Sequence, residues 1–177
     1  MPALEQDIVD DLTARVSKYL CSIGGYGVPE YIASGGSAAL YRVASPDGDR
    51  AIKAFNPKLF NVSGQTAERR RLDVQRRLIG HSCPSLVQTY SVEEAQGTAF
   101  MQMEFIPWPS LKTQVATVPD DAIPGLFAQL VSAVRFLDAQ GIVHRYIKPE
   151  NIHVWRLNRL FRFIPALEAG VLRLRLA

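Results

Sequence analysis

Residues 142–151, Ile-Val-His-Arg-Tyr-Ile-Lys-Pro-Glu-Asn, constrain this chain more than any other stretch. They set His144, Arg145, Lys148 and Asn151 within eight positions, and Pro149 bars a regular helix from running through them. Ahead of them, apolar residues recur at Ile123, Leu126, Phe127, Leu130, Val131, Val134 and Leu137. That spacing predicts one helical stripe. Asp120 or Asp121 suits its N-cap, Pro124 its first turn and Gly141 its stop. The chain must therefore fold so that a long core helix delivers a loop rich in cations and amides.

That loop resembles the catalytic loop of serine/threonine protein kinases, His-Arg-Asp-x-Lys-Pro-x-Asn, except that Tyr146 stands where the catalytic aspartate belongs. The resemblance implies that Lys148 contacts the transferring phosphate and that Asn151 holds a magnesium ion. The aspartate position would receive the proton of the substrate hydroxyl or orient that hydroxyl. Tyr146 cannot do so, because a phenol has a pKa of about 10 and stays protonated at neutral pH. Its ring would also crowd the incoming hydroxyl.

Further segments resemble the same family, in order. Arg50-Ala51-Ile52-Lys53 is similar to the Val-Ala-Ile-Lys strand, which implies Lys53 on the α- and β-phosphates of ATP and Ala51 over the adenine. Residues 32–43 resemble the glycine loop above the phosphates, with Ala33, Gly35 and Ala38 in the three glycine places and Gly36 after the middle one. Glycines there let backbone amides approach phosphate closely. Two alanines imply weaker nucleotide binding, and an ordinary hairpin turn explains the segment equally well. Residues 100–107 resemble the strand and hinge between lobes. Met103 would back the adenine pocket, and the backbone of Glu104 and Ile106 would face the base. Residues 66–80 read as an arginine-rich helix, where a kinase places a glutamate to pair with the strand lysine. Glu68 and Asp73 are the acidic candidates, with Glu68 preferred, although counting back from residues 80–87 falls near Arg71.

The fold expected from the resemblance is α+β. Residues 1–24 form a helical extension, with an amphipathic helix over residues 8–20 that either packs on the small lobe or holds a partner. Residues 25–106 form a small lobe with a five-stranded antiparallel sheet and one main helix. Residues 107–154 open a helical large lobe, and residues 155–177 form a basic Arg/Leu-rich tail. A whole kinase domain needs roughly 250 residues, so 177 imply an incomplete one that leaves the large lobe's helix exposed on one side. The family's Asp-Phe-Gly magnesium ligand should follow the loop asparagine, yet residues 155–177 contain no aspartate. Three readings of the tail stay open. One is a short basic helix marked by Leu157, Leu160, Phe161 and Ile164, followed by a strand over residues 171–177. Another is unrelated sequence from a shifted frame. The last is an amphipathic segment touching a membrane surface.

The net charge of +3 is local: residues 155–177 carry five arginines against one glutamate, and the rest of the chain is close to neutral. A distributed basic surface is absent, which argues against nucleic acid. Cys21 and Cys83 lack ligand spacing and read as reduced thiols of a cytoplasmic protein. No apolar run approaches 18 residues, so no transmembrane helix is expected. The implied cofactors are ATP and magnesium, the latter with an incomplete site, and the implied partner is a protein substrate or docking protein. Three functions remain open. They are an impaired serine/threonine kinase, a pseudokinase module that holds ATP or a partner protein, and a fragment with no function alone.

Overall fold

The computed structural model describes residues 3–60, 65–144, 147–157, 160–163, 166–167, 170–171 and 174–175. The chain divides into two compact units, one of Met1–Ile79 with Thr89–Phe105 and one of Gly80–Gln88 with Ile106–Ala177.

The first unit is built on strands β1 (Glu30–Ser34), β2 (Ala38–Val43), β3 (Arg50–Phe55), β4 (Thr89–Ala95) and β5 (Thr98–Glu104). They form one sheet in the order β1-β2-β3-β5-β4, and every pairing is antiparallel. This is the five-stranded antiparallel sheet expected from the sequence. Side chains alternate between its faces. Ala39, Tyr41 and Val43 of β2, Ile52 and Ala54 of β3, and Phe100 of β5 share one face and are almost wholly buried. Lys53 lies between Ile52 and Ala54 and so belongs to the other face, opposite Leu40 and Met101 in register.

The buried face is covered by helix α1 (Gln6–Ile23), three turns of which supply Leu12, Val16, Tyr19 and Leu20 to the same core. Tyr19 stacks on Phe100 at 4.4 Å between ring centroids and 6° between planes. The amphipathic pattern over residues 8–20 is thus satisfied within the first unit. The helix stops at Gly24, whose φ of +69° a side chain would resist. Arg15 binds the Gln96 carbonyl in the β4–β5 turn, which ties the helix to that end of the sheet.

Helix α2 (Gln65–Arg76) lies in the first unit and reaches β4 through its arginines. Arg76 pairs with Asp73 at 2.7 Å and with Glu94 of β4 at 3.2 Å. Its Nε also donates to the Val92 carbonyl. Leu72 and Gln75 are each only 1% exposed, and both polar atoms of the Gln75 amide lack a partner among the described residues. A buried amide left so is costly, and nothing in the sequence pattern signals it.

The second unit contains a short helix α3 (Leu111–Gln114), a 3-10 turn at Asp120–Ala122 and the long helix α4 (Ile123–Ala139). The expected helix is present and Gly141 follows it with φ +67°. Its start differs: Asp120 and Asp121 lie in the 3-10 turn, and no side chain caps α4. The stripe also divides. Leu126, Ala133 and Leu137 are buried, whereas Ile123, Phe127, Val131 and Val134 remain exposed.

The tail corrects one sequence expectation. Leu157 closes strand β6 (Trp155–Leu157), and Leu160 and Phe161 open β7 (Leu160–Phe163), antiparallel to β6. The short basic helix is therefore not formed. Leu-Phe-Arg-Phe over these positions has the aromatic content and period of a strand, which outweighs four apolar residues at helical spacing. Short strands β8 (Ala166–Leu167), β9 (Gly170–Val171) and β10 (Leu174–Arg175) follow. Ile164 lies outside the described residues.

Candidate functional site

Three of the expected nucleotide residues, Ala51, Lys53 and Met103, share the sheet face opposite α1. Ala51 of β3 is 4% exposed and sits in register with Met103 of β5. A methyl group beside a flexible thioether makes this part of the face apolar, and Met103 is buried as well. Two residues along the same strand, Lys53 holds its ammonium 5.1 Å from the Phe55 ring centroid. Glu104 ends β5 and Ile106 begins the second unit.

Gly35 and Gly36 connect β1 to β2. The Gly35 N–H donates to the Ala38 carbonyl at 3.0 Å, closing the turn. A Cβ built on Gly35 would meet nothing within 4 Å, and its φ is not in the left-handed region. The chain's own packing therefore does not demand glycine there. What glycine leaves is open space above the backbone, the kind of room a phosphate needs for close approach. The two flanking alanines lie in or at the strands, Ala33 within β1 and Ala38 at the start of β2.

Helix α2 carries both acids considered for Lys53. Asp73 is engaged with Arg76, and its side chain is 60% exposed. The side chain of Glu68 lies outside the described residues. Position 68 falls one turn before the buried Leu72 and two before Gln75 along the helix.

The loop of residues 142–151 lies in the second unit, and its described part is firmly anchored. Ile142 and His144 are buried, while Val143 is 73% exposed. Pro149–Asn151 form a 3-10 turn in which the Asn151 N–H donates to the Lys148 carbonyl at 2.9 Å. Asn151 is buried, whereas Lys148 is exposed. Downstream, the Val154 N–H donates to the Pro109 carbonyl and the Leu111 N–H to the Ile152 carbonyl. His153 Nδ1 lies 2.6 Å from the Trp108 carbonyl, and Lys112 Nζ meets the Glu150 carboxylate at 3.0 Å. These contacts clamp the loop's exit to the segment that opens α3. Trp108 and His153 were not singled out by sequence, because a backbone bridge between distant segments leaves no local pattern. Arg145 and Tyr146 lie outside the described residues.

Burial alone lowers the His144 imidazole from 6.5 to about 4. Burial likewise lowers His153, opposed by its bond to the Trp108 carbonyl. The folded unit holds a neutral His144, whereas the unfolded chain takes up a proton below pH 6.5. Stability from this group is thus complete above about pH 6.5 and is lost as pH falls toward about 4. The melting temperature should fall over that window, and His144→Asn should flatten the slope. A wild-type slope no steeper than the variant's would contradict it.

The residues present fit an adenine nucleotide, through the open glycine turn, the Ala51–Met103 surface and the Lys53 cation. Asn151 is the one expected magnesium ligand, and no group of three or more His, Cys, Asp or Glu suited to a metal occurs among the described residues.

The family model for the protein kinase domain matches residues 26–160. Among curated proteins, the chain is 33% identical over 136 residues to a putative CBL-interacting protein kinase 13 of Oryza sativa subsp. japonica. It is 30% identical over 131 residues to CBL-interacting serine/threonine-protein kinase 15 of Arabidopsis thaliana. These alignments cover 75% and 72% of this chain but only 26% and 31% of the relatives. Among solved structures, the apo form of PpkA-294 matches with a TM-score of 0.65 at 24% identity, over 75% of this chain and 55% of that one. Rad53 residues 1–466 in complex with AMP-PNP matches with a TM-score of 0.58 at 24% identity, over 72% of this chain and 33% of that one. At that identity the structures show the kinase fold. Asp120–Ala139 is long and apolar enough, by length and composition, to cross a membrane. It lies wholly inside the matched residues, as a helix of the domain.

Proposed function

Because the chain belongs to the protein kinase domain family, we propose that its first unit binds ATP and that phosphoryl transfer by these residues is strongly impaired. The family's activity is transfer of the ATP γ-phosphate to protein serine or threonine hydroxyls. Lys53 would neutralise the α- and β-phosphates, with Glu68 as its carboxylate partner. The open Gly35-Gly36 turn would admit the phosphates, Ala51 would lie over the adenine with Met103 at the back of its pocket, and the backbone of Glu104 and Ile106 would face the base. Lys148 and Asn151 would serve the phosphate and a magnesium ion during transfer.

The observation that carries the reading is the placement of Lys53. The register of β3 sets it on the sheet face left free by α1, beside the apolar Ala51–Met103 surface. Impairment follows from Tyr146, since losing a general base typically lowers the rate by about 10²–10⁴. A protein is the expected substrate or docking partner, and the two free thiols suit the cytoplasm.

The test is transfer of labelled phosphate from ATP to a Ser/Thr peptide library. The account expects no transfer above the level of the Lys53→Ala variant. Turnover that Lys53→Ala abolishes would contradict impairment, and nucleotide binding unaffected by Lys53→Ala would contradict the site.

A further inference from the structure

The first unit holds a cavity of about 520 Å³ on the sheet face opposite Lys53. It lies beyond the C-terminal end of α1. One wall is the link from α1 to β1, where Gly24 and Gly25 have φ of +69° and +78°, a region that glycine enters freely. The turn from β2 to β3, with Pro46 and Asp47, forms another wall. Residues of β4 and β5 form the floor. The size is within the range of small-ligand sites, about 300–1,000 Å³.

The chemistry of the lining is specific. The Arg50 guanidinium stacks 3.6 Å from the Tyr90 ring centroid, and the Arg50 side chain is only 16% exposed. Stacking uses the flat face of a guanidinium and leaves its N–H edge for a planar anion. Its ion pair is loose: Asp47 lies 3.5 Å away on a side chain 83% exposed. Glu93 brings an opposite charge to the same cavity. On the floor, Gln102 links two phenols: Tyr26 donates to its carbonyl, and its amide donates to the Tyr19 oxygen, each at 2.8 Å. Ser91 lines the same floor, with its buried Oγ beside the Tyr19 phenol.

We propose that this cavity binds a small dipolar ligand whose carboxylate meets Arg50 and whose ammonium meets Glu93, the chemistry of a free amino acid or of a short peptide with free ends. Asp47 is the internal competitor that such a carboxylate displaces. Ile23 and Pro46 offer an apolar rim to the ligand's side chain. The site shares no residue with the nucleotide face, although Gln102 on its floor lies between Met101 and Met103 in β5.

The test uses the whole chain and follows its backbone amide resonances by NMR. The probes are L-phenylalanine, L-leucine and the dipeptide Gly-Phe, at millimolar concentration. The blocked forms N-acetyl-phenylalanine and phenylalanine amide serve as controls. The expected result is a saturable shift at Ser91 and Gln102 with a free-ended probe, weakened about tenfold or more by blocking either end. Arg50→Met and Glu93→Gln should each weaken it similarly, and Glu93 is exposed, so its variant should fold. Lys53→Met should leave it unchanged, which separates this site from the nucleotide site. A response to the dipeptide but not to the amino acids assigns the site to peptides, and the reverse assigns it to free amino acids. No shift with any probe overturns the proposal. So does equal binding of the blocked forms, or unchanged binding to Glu93→Gln.

Discussion

Phe100→Ala is expected to destabilise the first unit by about 3–5 kcal/mol, enough to abolish folding of a marginal domain. Phe100 is wholly buried at the centre of β5, and its ring lies flat against Tyr19 of α1. Removing it opens a cavity between helix and sheet and leaves Tyr19 without its stacking partner. The backbone cannot readily collapse into the gap, because β5 is paired on both sides, to β3 and to β4. Denaturant titration reads the loss directly. Tyr31→Ala is the matching control, since Tyr31 is 50% exposed on the edge strand β1 and should cost far less. Equal losses from the two would mean that α1 does not form part of the core.

Lys53→Met is expected to remove most ATP binding while leaving the fold intact. A charge-assisted hydrogen bond contributes about 1.5–3 kcal/mol, so losing the ammonium should weaken ATP by about tenfold to a hundredfold. Methionine keeps the length and the apolar stem, so the packing beside Phe55 survives. Glu68→Gln should weaken ATP in the same direction but less, if Glu68 holds Lys53 in place. Titration calorimetry measures both. Undiminished affinity in Lys53→Met would show that the nucleotide does not use this lysine.

Much of the first unit was legible because its signals are local. The strand resemblance at Arg50 to Lys53, the turn at Gly35 and Gly36, and the period of α1 each survive in the structure. The direction of α1's apolar face was not legible, since the same stripe suits the sheet or a foreign protein. The contact of Tyr19 with Phe100 spans 81 positions and leaves no sequence period. Gln102 inside the run Phe100-Met101-Gln102-Met103 was a signal that could have been used. One amide in an otherwise apolar buried strand implies polar partners, here Tyr19 and Tyr26. In the second unit, the clamp through Trp108 and His153 depends on pairing between distant segments and was invisible. In the tail, Leu and Arg fit helical spacing as well as strands, so the short helix stayed one of three open readings, and the Leu157–Leu160 pairing decides against it.

The central claim is that these residues form a folded, nucleotide-binding kinase unit, and the most direct test is thermal melting of the whole chain with and without ATP and magnesium. The account predicts a cooperative transition raised by the nucleotide, by about 2.7 kcal/mol at a hundred times the dissociation constant. A cooperative transition that ATP leaves in place would contradict nucleotide binding, and the absence of any cooperative transition would contradict an independently folded unit.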